Sequence, residues 1–235
     1  MRQFCTAWNA FLDANKPAAD HVWNADGTGV TPQGTKAKKV IALKGQKVVG
    51  TKRLNSRENM TVVATINAAG RVMPPLIILK GQRVQVAWLG GGGPLGALYA
   101  ATDSSVMQGL VFLNFITSFH KHIVHTGKND GKPHILLLDS HASHVTFEVI
   151  ELAKSLNIEL FQRPSHTSHI TQPLHVAAFG IFKREVTSVL GAFGRNHGGK
   201  MPGKVDMVAV IRDAWERSFT PSQMRASFGG AGLWP

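Results

Sequence analysis

His134-Ile135-Leu136-Leu137-Leu138-Asp139 decides how the rest of this chain is read. Its unbroken apolar run, ending on an acid, has the pattern of a strand buried on both faces, as in the middle of a layered α/β sheet. Downstream, Phe147 to Leu156 has helical spacing, Ile158 to Phe161 reads as a strand, and Pro173 opens a helix reaching about Phe193. Gly194 to Gly203 is a glycine-rich loop and Val205 to Phe219 a last long helix. Upstream, apolar residues between Ser105 and Val124 fall mostly on one helical face. Further back, Thr61 to Ile66 and Val72 to Leu79 flank the turn Asn67-Ala68-Ala69-Gly70, a hairpin pattern. Pro74 and Pro75 predict an edge or a bulge in its second strand. His21 to Asp26 reads as a short buried strand with an acid at its end, followed by a Gly27-Thr28-Gly29 turn. Val40 to Leu43 is a further strand candidate, and Gly90 to Pro94 a flexible loop with no Gly-Lys-Ser/Thr to make it a phosphate cradle. Antiparallel strands first, then strands alternating with helices, predict an α/β fold: a mixed central sheet with helices on both faces, in the RNase H-like order.

Composition narrows the function. The chain has 235 residues, 43% of them hydrophobic, which suits one domain with a sizeable core. Lys and Arg number 26 against 14 Asp and Glu, a net charge of +12. Such an excess points toward a polyanion, with a basic soluble enzyme as the plainer reading. Cys5 is the one cysteine, so an internal disulfide and a thiolate zinc site are both excluded. No stretch has the apolar length of a membrane span. Met1 to Thr6 has no apolar signal core, so secretion is not expected.

Asp26 and Asp139 are the acids predicted at strand ends, where α/β sheets place ligands. Enzymes that cut phosphodiesters use converging carboxylates to hold hard divalent ions. The alternative is that each acid caps the turn that follows it. His141 and His144, His166 and His169, with His120, His122 and His125, invite a zinc reading. Orienting the acids or contacting phosphates is the competing role for the two His pairs.

Four ordered motifs resemble the catalytic core of DDE-type transposases of the pogo, Tigger and jerky kind. Asn24-Ala25-Asp26-Gly27-Thr28-Gly29 resembles the segment Asn-x-Asp-Glu-Thr-Gly that carries the family's first acid. Leu136 to His144 resembles the strand and Asp-Gly-His-x-Ser-His of the second. Pro164 to Leu174 resembles the approach to the third, normally Gln-Pro-Leu-Asp. Phe228 to Pro235 is similar to the Phe-x-x-x-Gly-Ile-x-Pro that closes the domain. Two positions depart from the pattern: Gly27 stands where the family has Glu, and His175 stands where it has the third Asp. The spacing is intact, with 35 residues between Asp139 and His175.

The resemblance implies residues 1–20 as an N-terminal lead and 21–235 as the DDE endonuclease domain. It implies Asp26, Asp139 and His175 as catalytic and metal-binding residues of a two-metal site for Mg2+ or Mn2+. It further implies DNA as partner, a nuclear location and compatibility with a homodimer. Nucleic-acid contacts are expected from Lys36, Lys38, Lys39, Lys52 and Arg53, in a basic stretch that also holds Lys44, Lys47 and Arg57, and from His141, His144, His166 and His169. Imidazole lacks the negative charge magnesium prefers and suits manganese or zinc better. Glu185, nearly three turns or ~15 Å along the helix, is too far to substitute. Three readings follow: a metal-dependent DNA-cleaving and strand-transferring domain impaired at its third acid, a domesticated DNA-binding protein without chemistry, or an element remnant with no role. About 20 residues precede the first motif, too few for a helix-turn-helix module, so sequence-specific targeting is not expected of this chain.

Overall fold

The structure, a computed structural model, describes residues 2–33, 44–45, 58–139, 146–163 and 171–234. Its sheet runs in the order β4-β3-β2-β1-β5-β6. The strands are β1 (Val22–Val30), β2 (Met60–Asn67), β3 (Val72–Lys80), β4 (Leu98–Thr102), β5 (His134–Leu138) and β6 (Ile158–Gln162). β1, β2 and β3 are antiparallel neighbours, whereas β1–β5, β5–β6 and β3–β4 are parallel pairs. The helices are α1 (Arg2–Asn15), α2 (Val86–Leu89), α3 (Gly109–His125), α4 (Phe147–Ser155), α5 (Phe179–Asn196), α6 (Lys204–Ser218) and α7 (Pro221–Gly230), with a π-helical turn, Leu174–Ala178, leading into α5.

All five residues of β5 are buried, as its apolar run requires. Ile135 and Leu137 join one core with Trp8, Phe182, Trp215 and Phe228. Leu136 and Leu138 join the opposite core with Trp23, Phe112, Phe119 and Val149. Period-two alternation thus divides one strand between α1, α5, α6 and α7 on one face and α3 and α4 on the other. The mixed sheet covered on both faces is the architecture predicted from the element order.

The hairpin β2–β3 forms as read. Its prolines make a bulge: Val63 pairs with Leu76 and Thr65 with Met73, so Pro74 and Pro75 together oppose Ala64. That placement removes from the ladder the donors proline lacks.

β1 corrects the reading. Gly27-Thr28-Gly29 is not a turn, and Asp26 does not end its strand. β1 continues to Val30, paired with β2 from Trp23 opposite Asn67 to Val30 opposite Met60. The ladder satisfies a backbone that local sequence would turn. A Cβ at Gly27 would lie 3.1 Å from the Thr61 methyl, so the glycine permits close packing. The edge strand β4, Leu98 to Thr102, is absent from the sequence reading, and α5 runs into the predicted glycine loop as far as Asn196.

Residues 2–15 are built into the domain. Trp8 is buried and donates from Nε1 to the Leu233 carbonyl at 3.0 Å. Its ring meets Phe161 edge-on at 4.9 Å, and Phe4 meets the same ring at 5.8 Å. The strand candidate Val40 to Leu43 lies outside the described residues.

Candidate functional site

β1, β5 and β6 run parallel side by side, and their register builds the site. Val22 faces Ile135 and Asn24 faces Leu137. Carried on by two residues, that register sets Asp26 level with Asp139. His134 faces Ile158 and Leu138 faces Gln162, so the next step sets Asp139 level with Arg163. Three adjacent strands therefore bring Asp26, Asp139 and Arg163 into one row. Alternation gives all three the parity of the face that holds α5 and the π turn.

Asn24 joins this row to the π turn. Fully buried, it donates from Nδ2 to the Leu137 carbonyl at 3.1 Å and accepts from the Leu174 N–H at Oδ1 at 3.3 Å. One side chain thereby links β1, β5 and the start of the turn that carries His175. π turns are rare and recur at functional sites, because the wider turn re-aims one side chain.

His175 Nε2 lies 2.8 Å from Asp26 Oδ2, without the alignment of a hydrogen bond. The Asp26 side chain is 11% exposed and that of His175 41%. The Phe179 ring stands edge-on to the imidazole at 5.4 Å. On the opposite face of the sheet, a cavity of about 250 Å³ between β1 and α3, whose walls include Val63, Met107, Phe112 and Leu138, also reaches Asp26 and Asp139.

Arg163 was missed by sequence reasoning. It is 2% exposed. Its backbone N–H donates to the Leu138 carbonyl at 3.0 Å, and its Nη1 donates to Thr171 Oγ1 at 3.4 Å. Burial lowers its pKa, while the charges of Asp26 and Asp139 act in the opposite sense. The only signal in the sequence was a lone arginine following the apolar strand Ile158 to Phe161. Gln172 is also buried, and neither of its amide atoms has a hydrogen-bond partner among the described residues.

Of the predicted site residues, Asp26 and His175 meet, and Asp139 stands on the neighbouring strand. Among the described residues, no three His, Cys, Asp or Glu side chains are grouped closely enough to hold an ion. Lys36, Lys38, Lys39, Lys52, Arg53, His141, His144, His166 and His169 lie outside the described residues. His122 rests edge-on against Trp23 at 6.0 Å, and burial lowers its pKa ahead of Arg71 and His125.

The sequence profile of the DDE superfamily endonucleases matches residues 57–228. A curated relative from Cochliobolus lunatus, named MFS-type transporter clz9, is 31% identical over 180 residues, 77% of this chain. The chain spans about a fifth of that relative, 19% of its length. Among the described residues, no helix is long and apolar enough to cross a membrane. Among solved structures, the Mos1 transposase catalytic domain with raltegravir and Mn superposes with a TM-score of 0.59 at 10% identity, covering 99% of this chain and 88% of that one. A pre-cleavage Mos1 transpososome gives 0.58 at 13% identity, covering 99% and 62%. The Mos1 paired-end complex with left transposon end gives 0.57 at 14% identity, covering 97% and 60%. At such identities the likeness is one of fold, the RNase H-like arrangement of transposase catalytic domains.

Proposed function

Since this chain belongs to the DDE superfamily endonucleases, we propose that it is a transposase-type domain that binds DNA and positions a phosphodiester at Asp26 and Asp139, with cleavage weakened by His175. The observation that carries this reading is the 2.8 Å approach of His175 Nε2 to Asp26 Oδ2, next to the strand that ends in Asp139. His175 thus meets the first acid from the position where the family has its third.

The donor set suits a divalent cation in part. Asp26 Oδ2 is buried and has no hydrogen-bond donor among the described residues, and a second carboxylate stands in the same row. Asp26 and Asp139 would hold the ion, with the His175 imidazole as third ligand; manganese accepts such a nitrogen more readily than magnesium. A bound ion there would supply charge for the scissile phosphate and ease deprotonation of an attacking water or DNA 3′-hydroxyl. The chain's own contribution is placement. Asn24 fixes the π turn on the two strands, and Phe179 holds the imidazole edge-on with Nε2 2.8 Å from Asp26 Oδ2. The +12 charge favours a polyanion without selecting a sequence. The family reading extends to a nuclear location and to a homodimer.

The second reading, a DNA-binding protein without chemistry, draws on the same substitution. The imidazole brings no negative charge to the third corner.

Plasmid nicking with each metal, comparing the native chain, His175→Asp and an Asp139→Ala blank, tests the proposal. Little magnesium-dependent nicking is expected from the native chain, more from His175→Asp, and residual native activity with manganese first. Equal nicking by native and His175→Asp chains in magnesium would refute the impairment. No nicking by either chain with either metal would favour the second reading.

A further inference from the structure

Arg163 is the one member of the row Asp26–Asp139–Arg163 that neither the motifs nor the proposed chemistry assigns. The strand registers place it beside Asp139 on the face both carboxylates share. It is 2% exposed, and a guanidinium cannot shed its charge at any working pH. A cation buried to that degree persists when partner charges offset its desolvation. Both ends of the residue are fixed, its backbone on the Leu138 carbonyl and its Nη1 on Thr171 Oγ1. Thr171 lies one position before Gln172, whose carbonyl accepts from the His175 N–H at 3.0 Å. The guanidinium is therefore tied to the strand that ends in Asp139 and to the segment that leads to His175.

We propose that Arg163 is a resident counter-cation of the carboxylate site, holding Asp26 and Asp139 together without metal and lowering the site's affinity for divalent ions. Two carboxylates and one guanidinium sum to a single net negative charge. A divalent ion entering that site meets a fixed positive charge as well as its ligands, and like charges at short range in a partly buried site repel strongly. Arg163 acts through the two acids and is a positioning residue. The inference rests on the reading of Asp26 and Asp139 as the ion-binding pair.

The test is metal binding and stability, neither of which requires DNA cleavage. Purified native chain, Arg163→Met and Arg163→Lys are titrated with Mn2+, free ion being read by electron paramagnetic resonance. Each is also melted in EDTA and in Mn2+. Arg163→Met is expected to bind Mn2+ roughly tenfold tighter or more than the native chain, to melt lower in EDTA and to recover with Mn2+. Arg163→Lys, which keeps the charge, is expected to bind like the native chain. Should Arg163→Met fold poorly, Asp139→Asn is added, since removing one uncompensated carboxylate must raise the stability of Arg163→Met. Equal Mn2+ affinity of native and Arg163→Met chains would overturn the proposal. So would a double variant no more stable than Arg163→Met alone. If no chain binds Mn2+ but Asp139→Asn still rescues Arg163→Met, the counter-cation stands and the ion-binding reading of the acids falls.

Discussion

Replacing Asn24 by alanine removes the side chain that joins β1, β5 and the π turn. Two hydrogen bonds go with it, Nδ2 to the Leu137 carbonyl at 3.1 Å and the Leu174 N–H to Oδ1 at 3.3 Å. Asn24 is fully buried, so water does not freely replace what is lost. A hydrogen bond contributes about 1 kcal/mol net, and a buried group left unsatisfied costs about 1–3 kcal/mol. The Leu174 N–H stands at the start of its helical turn, where the first N–H groups have no preceding turn to donate to. Together these give a loss of about 2–4 kcal/mol. For a chain of this size each 1 kcal/mol lowers Tm by roughly 2–4 °C. The expected drop is then roughly 4–16 °C. Urea unfolding followed by circular dichroism reads the loss, with an unchanged denaturant slope expected because the same surface is exposed. Asn15→Ala is the control, since Asn15 makes an exposed hydrogen bond to the Phe11 carbonyl. It should change stability by less than about 0.5 kcal/mol. A loss below about 1 kcal/mol for Asn24→Ala would refute the argument that this one amide anchors the π turn.

Trp8→Ala should cost about 3–5 kcal/mol, because it empties a buried indole site and frees the Leu233 carbonyl; a near-neutral result in urea unfolding would make α1 peripheral. Stability should fall with acid in two stages. Burial above all lowers the pKa of His134, and the same cause leads for His122. Their ordinary value is 6.5, so the unfolded chain binds more protons and the fold weakens as pH drops below about 6.5. Burial pushes the Asp20 carboxyl up, but hydrogen bonds from Lys128 and His21 and their charges outweigh it and bring it to about 2 from 3.8. The stability this contributes, present above pH about 4, is then lost as pH falls toward about 2. A flat urea-unfolding profile across this range would contradict both stages. DNA binding should show no sequence preference in competition and should collapse between roughly 50 and 200 mM salt as phosphate contacts release counterions. Salt-independent binding would remove the electrostatic basis of the proposed function.

What the sequence determined by itself is local. The apolar run of β5, the β2–β3 hairpin and the helical spacing of α3 and α4 follow from side-chain periodicity over a few residues, and they survive folding because both cores want the same pattern. Asp26, Asp139 and His175 are singled out by motif resemblance and spacing alone. Whatever depends on which strand lies beside which was decided only by the tertiary structure. Gly27-Thr28-Gly29 stays extended because β2 satisfies its backbone over the full ladder. β4 exists because β3 offers an edge to Leu98–Thr102. The row of Asp26, Asp139 and Arg163 arises from two parallel registers joining segments more than a hundred residues apart in the chain for β1 and β5. No local window holds such a register. It is set when both faces of β5 are buried at once, because a slip of one residue would turn its core side chains to the opposite face.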